Sequence, residues 1–386
     1  MQYTRPDYYE QFSCVGGACP DTCCAGWQIV IDPDSLKRYK NIPGPFGNRL
    51  RNEIDWKNGV FKQYKGDCCF LNEEKLCDIY GEIGEEQLCK TCGSYPRYIE
   101  EFEGVREQFL CMSCPVVAEM LLGREEKTTL RSFDTEEEET EDYEFFDYFL
   151  YTKLEDSRHF LLSLLQNRHL KIELRLSMLL GFGHDFQRRI REGKLFQVDS
   201  LIEKYEKPDA VKFFQAKKAS AERKKSNARF LLAKTMFQTL KKLEIRKPEW
   251  KGWLTTCQCR LLFLGAERYR KKRKQFLNEH DKEAMALFQE QIAVYFLLHY
   301  YCGAVYDERV YAKTKLAVLS AFLLEEMLFI KWLGDGKNIQ KEDWVYYTYQ
   351  YARELEHSDE NLKRMENMLC TDRRFAIRNI TEALCE

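Results

Sequence analysis

CPDTCCAGW, at residues 19–27, places three cysteines within six positions, two of them adjacent. It belongs to a wider cysteine-rich stretch, because eleven of the sixteen cysteines of the 386-residue chain lie between Cys14 and Cys114. Such a density is typical of a disulfide framework in a secreted protein or of a metal site in an intracellular one. The start of the chain, MQYTRPDYYEQFSC, lacks the pattern of a secretion signal. We therefore expect a cytoplasmic protein and favour metal ligation.

The spacing of the cysteines also fits metal ligation. Cys89 and Cys92 form one CxxC unit, Cys111 and Cys114 form another, and a gap of two residues lets both sulfurs reach one metal from a tight turn. This stretch contains no histidine, since His159 is the first one in the chain. Ligands drawn from it are therefore thiolates, as in Cys₄ zinc sites and iron–sulfur clusters, and the spacing does not decide between the two.

Two further features limit the kind of site. The side chains of the adjacent residues Cys23 and Cys24 diverge, so one of them either belongs to a second site or packs as a small apolar residue. Cys19 and Cys23 match the start of the CxxxCxxC motif of radical S-adenosylmethionine enzymes, but Gly26 stands where the third cysteine belongs. The chain has no GxGxxG or GxxxxGK[ST] loop, so the sequence predicts neither a Rossmann-type cofactor site nor a P-loop.

The hydrophobic pattern predicts a mostly α protein. We expect residues 1–124 to form a small, irregular, cysteine-rich metal-binding domain with short strands, residues 125–145 an acidic linker or loop, and residues 146–386 an all-helical domain. In the first of these, WQIVIDPDS predicts a short strand that Pro33 ends, followed by a capped helix start. FEGVREQFLCMSC predicts a hairpin.

The cysteine-rich stretch resembles the bacterial flagellin lysine N-methylase family. FSCVGGACPDTCCAGWQIVID, CCFLNEEKLCDIYGEIGEEQLCKTCGSYPR and CMSCP follow one another within residues 12–115, and YFLLHYYCGAVYD and ARELEHSDENL resemble C-terminal segments of the family. The resemblance implies methyl transfer from S-adenosylmethionine to surface lysines of flagellin, with a [4Fe–4S] cluster. The ligands it implies are Cys19, Cys23, Cys24, Cys68, Cys77, Cys89, Cys92 and Cys114, with Cys14 also matching, and we prefer Cys23, Cys77, Cys89 and Cys92. Cys69 and Cys111 fit the motif least.

Lysine methylation needs a neutral amine and surroundings that favour a positively charged sulfonium. In the segment EHSDENL, Glu356 and His357 have the acid–base capacity to deprotonate the lysine amine. The same segment also suits a helix start capped by Ser358 or Asp359. Tyr301, in a tyrosine-rich segment, is our aromatic catalytic candidate, and packing in the core is its alternative role.

The candidate cofactor-binding residues follow the CxxC unit formed by Cys89 and Cys92. Tyr95 and Arg97 come soon after Cys92, and the bidentate fork of an arginine suits the carboxylate of S-adenosylmethionine. A structural ion pair is the alternative role for Arg97.

Composition limits the partners. The formal net charge is −2, and the longest uncharged run, Gln291–Tyr306, is too short to span a bilayer comfortably. No nucleic-acid-binding signature is present, so we expect neither nucleic acid nor membrane as a partner. Flagellin is the partner that the resemblance implies. ERYRKKRK at 267–274 is either an exposed helix face or a docking site for an acidic partner or a phosphate backbone. The alternative to an enzyme is a non-enzymatic adaptor that binds zinc or an iron–sulfur cluster.

Overall fold

The structure, a computed structural model, describes residues 1–139, 143–223, 226–334, 336 and 338–386. As predicted, these residues are mostly helical, and every described strand lies before residue 135. In chain order the helices are α1 (Pro33–Asn41), α2 (Gly44–Glu53), α3 (Asp78–Ile83), α4 (Lys90–Ser94), α5 (Pro115–Leu122), α6 (Tyr148–Leu165), α7 (Ile172–Arg191), α8 (Val198–Glu206), α9 (Pro208–Arg223), α10 (Ala228–Leu240), α11 (Pro248–Glu279), α12 (Lys282–Tyr300), α13 (Ala304–Asp307), α14 (Val310–Gly334), α15 (Lys341–Glu356), α16 (Asp359–Thr371) and α17 (Ile377–Leu384). The strands are β1 (Gln2–Pro6), β2 (Ile54–Asp55), β3 (Val60–Phe61), β4 (Gln63–Tyr64), β5 (Asp67–Cys68), β6 (Arg97–Phe102), β7 (Val105–Leu110) and β8 (Leu130–Asp134).

One four-stranded sheet joins distant parts of the N-terminal third. Its order is β6-β7-β1-β8, and β1 runs parallel to β7 and antiparallel to β8. β6 and β7 form the predicted hairpin, with Arg97 opposite Leu110, and Gly104 turns the chain with a φ of +72° that favours glycine. The other strands form two short antiparallel pairs.

The segment WQIVIDPDS shows one correct and one wrong prediction. The predicted strand is absent among the described residues there, because Val30 makes only an isolated bridge to Val60. The capped helix start is confirmed, since the Asp32 carboxylate accepts a hydrogen bond of 3.0 Å from the backbone N–H of Ser35 at the start of α1.

The acidic segment 125–145 contributes to the sheet. Its residues Leu130–Asp134 form β8, and Glu139 pairs at 2.7 Å with the buried guanidinium of Arg106. Residues 140–142 of the predicted linker lie outside the described residues. The division into domains stays a prediction.

Two hydrophobic cores organise the molecule. The smaller one is built from residues 29–92 and includes Phe61, Phe70 and the buried thiols of Cys68 and Cys89. The larger one combines β6, β7 and α5 with the helices from α6 to α17. α14 is buried on nearly all sides at its centre, as is typical of a helix that is apolar all round. Within the described residues, no helix is both long enough and apolar enough for a membrane span.

The basic segment 267–274 is only partly a surface face. Tyr269 and Arg273 are buried, and the Tyr269 hydroxyl donates a hydrogen bond of 2.8 Å to Glu326. Arg273 pairs with Glu325 and lies 3.7 Å from Glu326. The sequence did not predict this internal network of ion pairs, because an arginine that pairs with a glutamate of another helix cannot be distinguished in the sequence from a solvent-exposed charge.

Candidate functional site

Six cysteines belong to the smaller core or pack against it: Cys24, Cys68, Cys69, Cys77, Cys89 and Cys92. We call the five that match the ligands implied by the resemblance, which are all of these except Cys69, the first thiol group. The Cys24 thiol lies beside the sulfurs of Cys23 and Cys77, and its single S–H can donate to either of them, which lowers the pKa of both Cys23 and Cys77. The Cys92 thiol likewise donates to Cys89 and lowers its pKa. The thiolate is the form of cysteine that ligates metals, and a lowered pKa favours it.

Helix α1 holds the CxxC unit of this group in place. The capping residue Asp32 uses its second oxygen to accept a hydrogen bond of 2.9 Å from the backbone N–H of Lys90, directly after Cys89. The Tyr39 hydroxyl donates to the carbonyl of Gln87 at 2.7 Å. One carboxylate therefore fixes both the start of a helix and the turn that carries two sulfurs.

A second set of thiols lies beside the first. We call Cys14, Cys19, Cys23 and Cys114 the second thiol group. All sixteen cysteines are free, so neither group is a disulfide framework. In the described part of the chain, no three or more His, Cys, Asp or Glu side chains are arranged so that they could hold a metal ion. The sulfurs are instead grouped through hydrogen-bonded pairs, and metal binding by these cysteines stays a prediction.

Partly buried ion pairs tie the cysteine loop to the helical part. The Asp21 carboxylate pairs with Arg353 at 2.8 Å, with Lys247 at 2.8 Å and accepts from Gln350 at 2.8 Å. Burial by itself would raise the pKa of Asp21, but the charges of Arg353 and Lys247 hold it below its ordinary value. Arg353 also donates to the carbonyl of Ser113 at 2.9 Å, so it joins two segments of the N-terminal third to α15.

Glu356, at the end of α15, has its carboxylate turned into this junction. It accepts hydrogen bonds from the hydroxyl of Tyr295, from the hydroxyl of Tyr300 at 3.4 Å and from the backbone N–H of Ser113 at 3.2 Å. Burial raises the pKa of Glu356 to about 7, and these hydrogen bonds lower it only in part. The carboxyl group is therefore poised to exchange a proton near neutral pH.

His357 forms an aromatic cluster beside that carboxyl group. Its ring stacks on Trp27 with centroids 4.5 Å apart, and Tyr95 approaches it edge-on at 5.8 Å. Burial, together with the charge of Arg353, lowers the pKa of His357 to about 3, so the ring is neutral. Its Nε2 atom is buried and, within the described residues, has no hydrogen-bond partner. Ser358 caps α16 as predicted, so this stretch contains both a helix start and the acid–base cluster.

The structure brings together only some of the predicted site residues. Glu356, His357 and Tyr95 lie at the junction, and Tyr95 donates to the Ser113 hydroxyl at 3.2 Å. The guanidinium of Arg97 instead lies over the ring of Phe12, at 5.2 Å.

Tyr301 lies on another side of the same helical segment. Its hydroxyl forms a hydrogen bond of 2.9 Å with Ser157 on α6, in the larger core. Among the described residues, Tyr295 and Tyr300 are the tyrosines whose hydroxyls contact Glu356. The catalytic role of Tyr301 stays a prediction without support from this geometry.

Sequence reasoning missed three contributors to the site. These are Trp27 at the end of the cysteine loop, Ser113 inside the last CxxC unit and Arg353 on α15. The position of Trp27 and Ser113 within cysteine motifs was a usable signal, because residues that flank ligands tend to lie at the same site. Arg353 offered no such signal, since a single arginine in a helical pattern predicts an exposed position.

A separate cavity of about 810 Å³ lies among α7, α8, α9 and α17. Its lining includes the aromatic rings of Tyr205, Phe213 and Phe214 beside Asp185. It contains neither the cysteines nor Glu356, so it is distinct from the junction.

Comparison with known proteins gives the family. A sequence model described as the FliB lysine N-methylase C-terminal domain matches residues 158–381. The flagellar biosynthetic protein FliU of Salmonella muenchen is 29% identical over 129 residues, which cover 31% of this chain and 76% of that protein. The lysine-N-methylases of Salmonella typhimurium and Salmonella choleraesuis are also 29% identical over 129 residues, but the match covers 32% of each of them.

No solved structure matches the chain. The matched range 158–381 extends over more than half of the chain and includes Tyr295, Tyr300, Glu356 and His357. The chain therefore belongs to the FliB lysine N-methylase family.

Proposed function

We propose that this protein is a protein-lysine N-methyltransferase that transfers a methyl group from S-adenosylmethionine to surface lysines of flagellin. Family membership supports the reaction class, and the names of relatives, lysine-N-methylase and flagellar biosynthetic protein, support the substrate. The observation that carries the proposal is the buried Glu356 carboxyl group, which lies inside the matched range among tyrosine hydroxyls and aromatic rings.

Glu356 is the proposed base. A lysine ammonium, with an ordinary pKa of about 10.4, must lose a proton before its nitrogen can attack. The proton goes to a carboxylate oxygen of Glu356, and the freed lone pair of the nitrogen forms a bond to the methyl carbon while the carbon–sulfur bond breaks. The sulfonium leaves as a neutral thioether. Tyr295 and Tyr300 donate to the ionised carboxylate and so keep it available as a proton acceptor.

The aromatic cluster suits the charges of this reaction. The faces of Trp27 and Tyr95 attract cations such as a sulfonium or a methylated ammonium, by about 0.5–2 kcal/mol each. His357 stacks on Trp27 and is neutral, so it adds an aromatic wall without repelling a cation.

We further propose that Cys68, Cys77, Cys89 and Cys92 of the first thiol group hold a [4Fe–4S] cluster, with zinc as the alternative. Cys68 replaces Cys23 of the set preferred from the sequence, because Cys68 shares the smaller core with Cys77, Cys89 and Cys92 whereas Cys23 lies outside it. The chemistry of this donor set supports the proposal, because it consists only of thiols. When bound, such a cluster supplies a strong crosslink of the small core and a centre for redox or Lewis-acid chemistry. Anaerobic purification followed by iron and acid-labile sulfide analysis separates this cluster from zinc.

Purified protein, flagellin and S-adenosylmethionine provide the main test. We expect methyl-sized mass increments on lysine peptides of flagellin. Glu356→Gln should slow the transfer by about 10²–10⁴-fold, the usual contribution of a general base. Glu360→Gln, at an exposed position in the first turn of α16, is the matched control and should keep the activity. Transfer by Glu356→Gln at the wild-type rate would remove the proposed base. Flagellin binding without methylation by the wild type would instead favour the adaptor.

A further inference from the structure

The cavity among α7, α8, α9 and α17 has the dimensions of a small-molecule site. Its volume of about 810 Å³ falls within the range of clefts that enclose most of a ligand. Three aromatic rings and the small or aliphatic side chains of Ala210, Ala221 and Ile377 supply its apolar lining, and charged side chains lie among them. Such a combination suits a ligand with an apolar body and a charged group.

The rings of Tyr205, Phe213 and Phe214 form one wall of the cavity. Phe213 and Phe214 meet edge to face, with planes 89° apart and centroids at 5.4 Å, and Phe214 lies 6.0 Å from Tyr205. Gly181 on α7 makes this packing possible, because a Cβ atom there would lie 2.6 Å from the Phe214 ring. Phe214 is buried, whereas Phe213 is 54% exposed. Phe213 therefore has ring surface on which a planar group can stack.

The charges of the lining leave an excess of positive charge. Each carboxylate lies beside a cation of the protein: Glu382 beside Arg378 at 3.0 Å, Asp209 beside Lys212 at 3.1 Å, and Asp185 beside Lys204. Lys207 and Lys217 also line the cavity, and within the residues that the structure describes neither of them forms an ion pair. The cavity should therefore attract an anion.

Lys217 brings this positive charge to the aromatic wall. It follows Phe213 by one turn of α9, and its ammonium group lies 4.6 Å from the centroid of the Phe213 ring. The long side chain of a lysine is flexible, so the ammonium group can turn towards an anion that is bound beside the ring. A stacking surface and a positive charge thus lie side by side.

We propose that this cavity binds a nucleotide, with the planar base on Phe213 and the phosphate at Lys207 and Lys217. Bases stack on aromatic side chains through their faces. A phosphate carries about two negative charges near neutral pH, which suits two lysines better than the single charge of a carboxylate does. The cavity contains neither Glu356 nor a cysteine, so this site is additional to the proposed active site and does not rest on the proposed function.

Isothermal titration calorimetry on the full chain tests the site with three related probes. Adenosine monophosphate has both the base and the phosphate, adenosine lacks the phosphate, and ribose phosphate lacks the base. We expect adenosine monophosphate to bind at least about tenfold more tightly than either of the others. Equal affinities for the three probes, or no binding of adenosine monophosphate, would overturn the proposal.

A change at Phe213 tests the position of the base. Phe213→Ala should weaken the binding of adenosine monophosphate by about tenfold and leave that of ribose phosphate unchanged. Phe196→Ala, at a ring that is 65% exposed and lies outside the cavity, is the matched control and should bind as the wild type does. An unchanged affinity of Phe213→Ala for adenosine monophosphate would refute the stacking.

A change at the two lysines tests the position of the phosphate. Lys207→Gln/Lys217→Gln should reduce the affinity for adenosine monophosphate to that for adenosine, whereas Lys242→Gln/Lys363→Gln, at exposed lysines outside the cavity, should not. Retention of the wild-type affinity by the first pair would refute the phosphate site. Far-ultraviolet circular dichroism checks folding, and if Phe213→Ala loses helicity, the lysine pair decides, because both of its side chains are exposed.

One further control is needed because the proposed methyl donor also contains adenosine. Trp27→Ala changes the proposed active site and should leave the affinity for adenosine monophosphate unchanged. If Trp27→Ala lowers that affinity and Phe213→Ala does not, the nucleotide binds at the junction and the cavity site is refuted. Nucleotide binding by a protein that does not methylate flagellin would contradict only the proposed function, and methylation without nucleotide binding would contradict only this inference.

Discussion

Replacing Glu356 by glutamine should make the stability of the protein less dependent on pH between about pH 4 and about pH 8. Glutamine keeps the shape of the side chain, and its single carbonyl oxygen can accept either from Tyr295 or from the backbone N–H of Ser113, because these two donors bond different oxygens of Glu356. It cannot ionise. The hydrogen bond that the variant lacks is lost at every pH, so the pH dependence of the difference between variant and wild type isolates the cost of a negative charge at this junction. The titratable groups that Glu356 faces there include Tyr295, Tyr300, Tyr351 and Cys111.

The size of the effect follows from the raised pKa of Glu356. That pKa rises from 4.5 to about 7 on folding. Below pH 4.5 both the folded and the unfolded chain hold the proton, so ionisation of Glu356 does not reduce the free energy of unfolding there. As the pH rises, the unfolded chain releases the proton first, and stability falls until the pH passes the folded value of about 7. At about 1.36 kcal/mol for each pH unit, the loss amounts to about 3 kcal/mol.

Urea denaturation at about pH 4 and about pH 8 measures this difference. The free energy of unfolding of Glu356→Gln, relative to the wild type, should rise by about 3 kcal/mol from the lower to the higher pH. Glu203→Gln, on the exposed face of α8, controls for the loss of one charge. If the difference between Glu356→Gln and the wild type is the same at both pH values, the carboxyl group is not desolvated and Glu356 is not a poised base.

Three further changes test the packing. Arg158→Met leaves Glu107, its buried partner at 2.6 Å, without a counter-charge, and should lower the free energy of unfolding in urea by about 3–5 kcal/mol unless Glu107→Gln is added. Gly183→Ala places a methyl group against the Thr314 side chain, 2.1 Å from its Oγ1, and a calorimetric melt should show a loss of about 1–3 kcal/mol, whereas an unchanged melt would disprove the close approach. Ser358→Ala removes the cap of α16 and should cost about 1 kcal/mol by guanidinium denaturation; no loss would mean that the cap is not formed.

The local signals in the sequence were reliable where short-range physics decides the structure. Asp32 and Ser358 cap helices as their side chains predict, and the hairpin turns at Gly104. The predicted strand around Val30 is absent because a short apolar run can pack into the smaller core without hydrogen-bonding to a neighbouring strand along its length.

The choice among tyrosines could not be made from the sequence. α12 is apolar on nearly all sides, so its pattern does not tell which face meets α6 and which meets α15. Successive residues of a helix are rotated by about 100°, and Tyr301 therefore points away from Glu356 although Tyr300 contacts it. The partners of Asp21 could not be predicted either, because Lys247 and Arg353 lie more than two hundred residues away from it in sequence.

The residues of the smaller core lie, in sequence, between two strands of the four-stranded sheet, and this has a consequence for the motions of the protein. The chain leaves the sheet after β1 and returns at β6, so residues 7–96 form a long excursion whose two ends are fixed close together. Its two ends, which include Tyr8, Phe12 and Tyr95, pack on the larger core, whereas residues 24–92 share the smaller core. Residues 24–92 can therefore open as a cooperative subunit while the sheet and the helices of the larger core remain folded. Its amide hydrogens should consequently exchange with deuterium earlier than those of α14, and metal loading should slow that exchange in this region first.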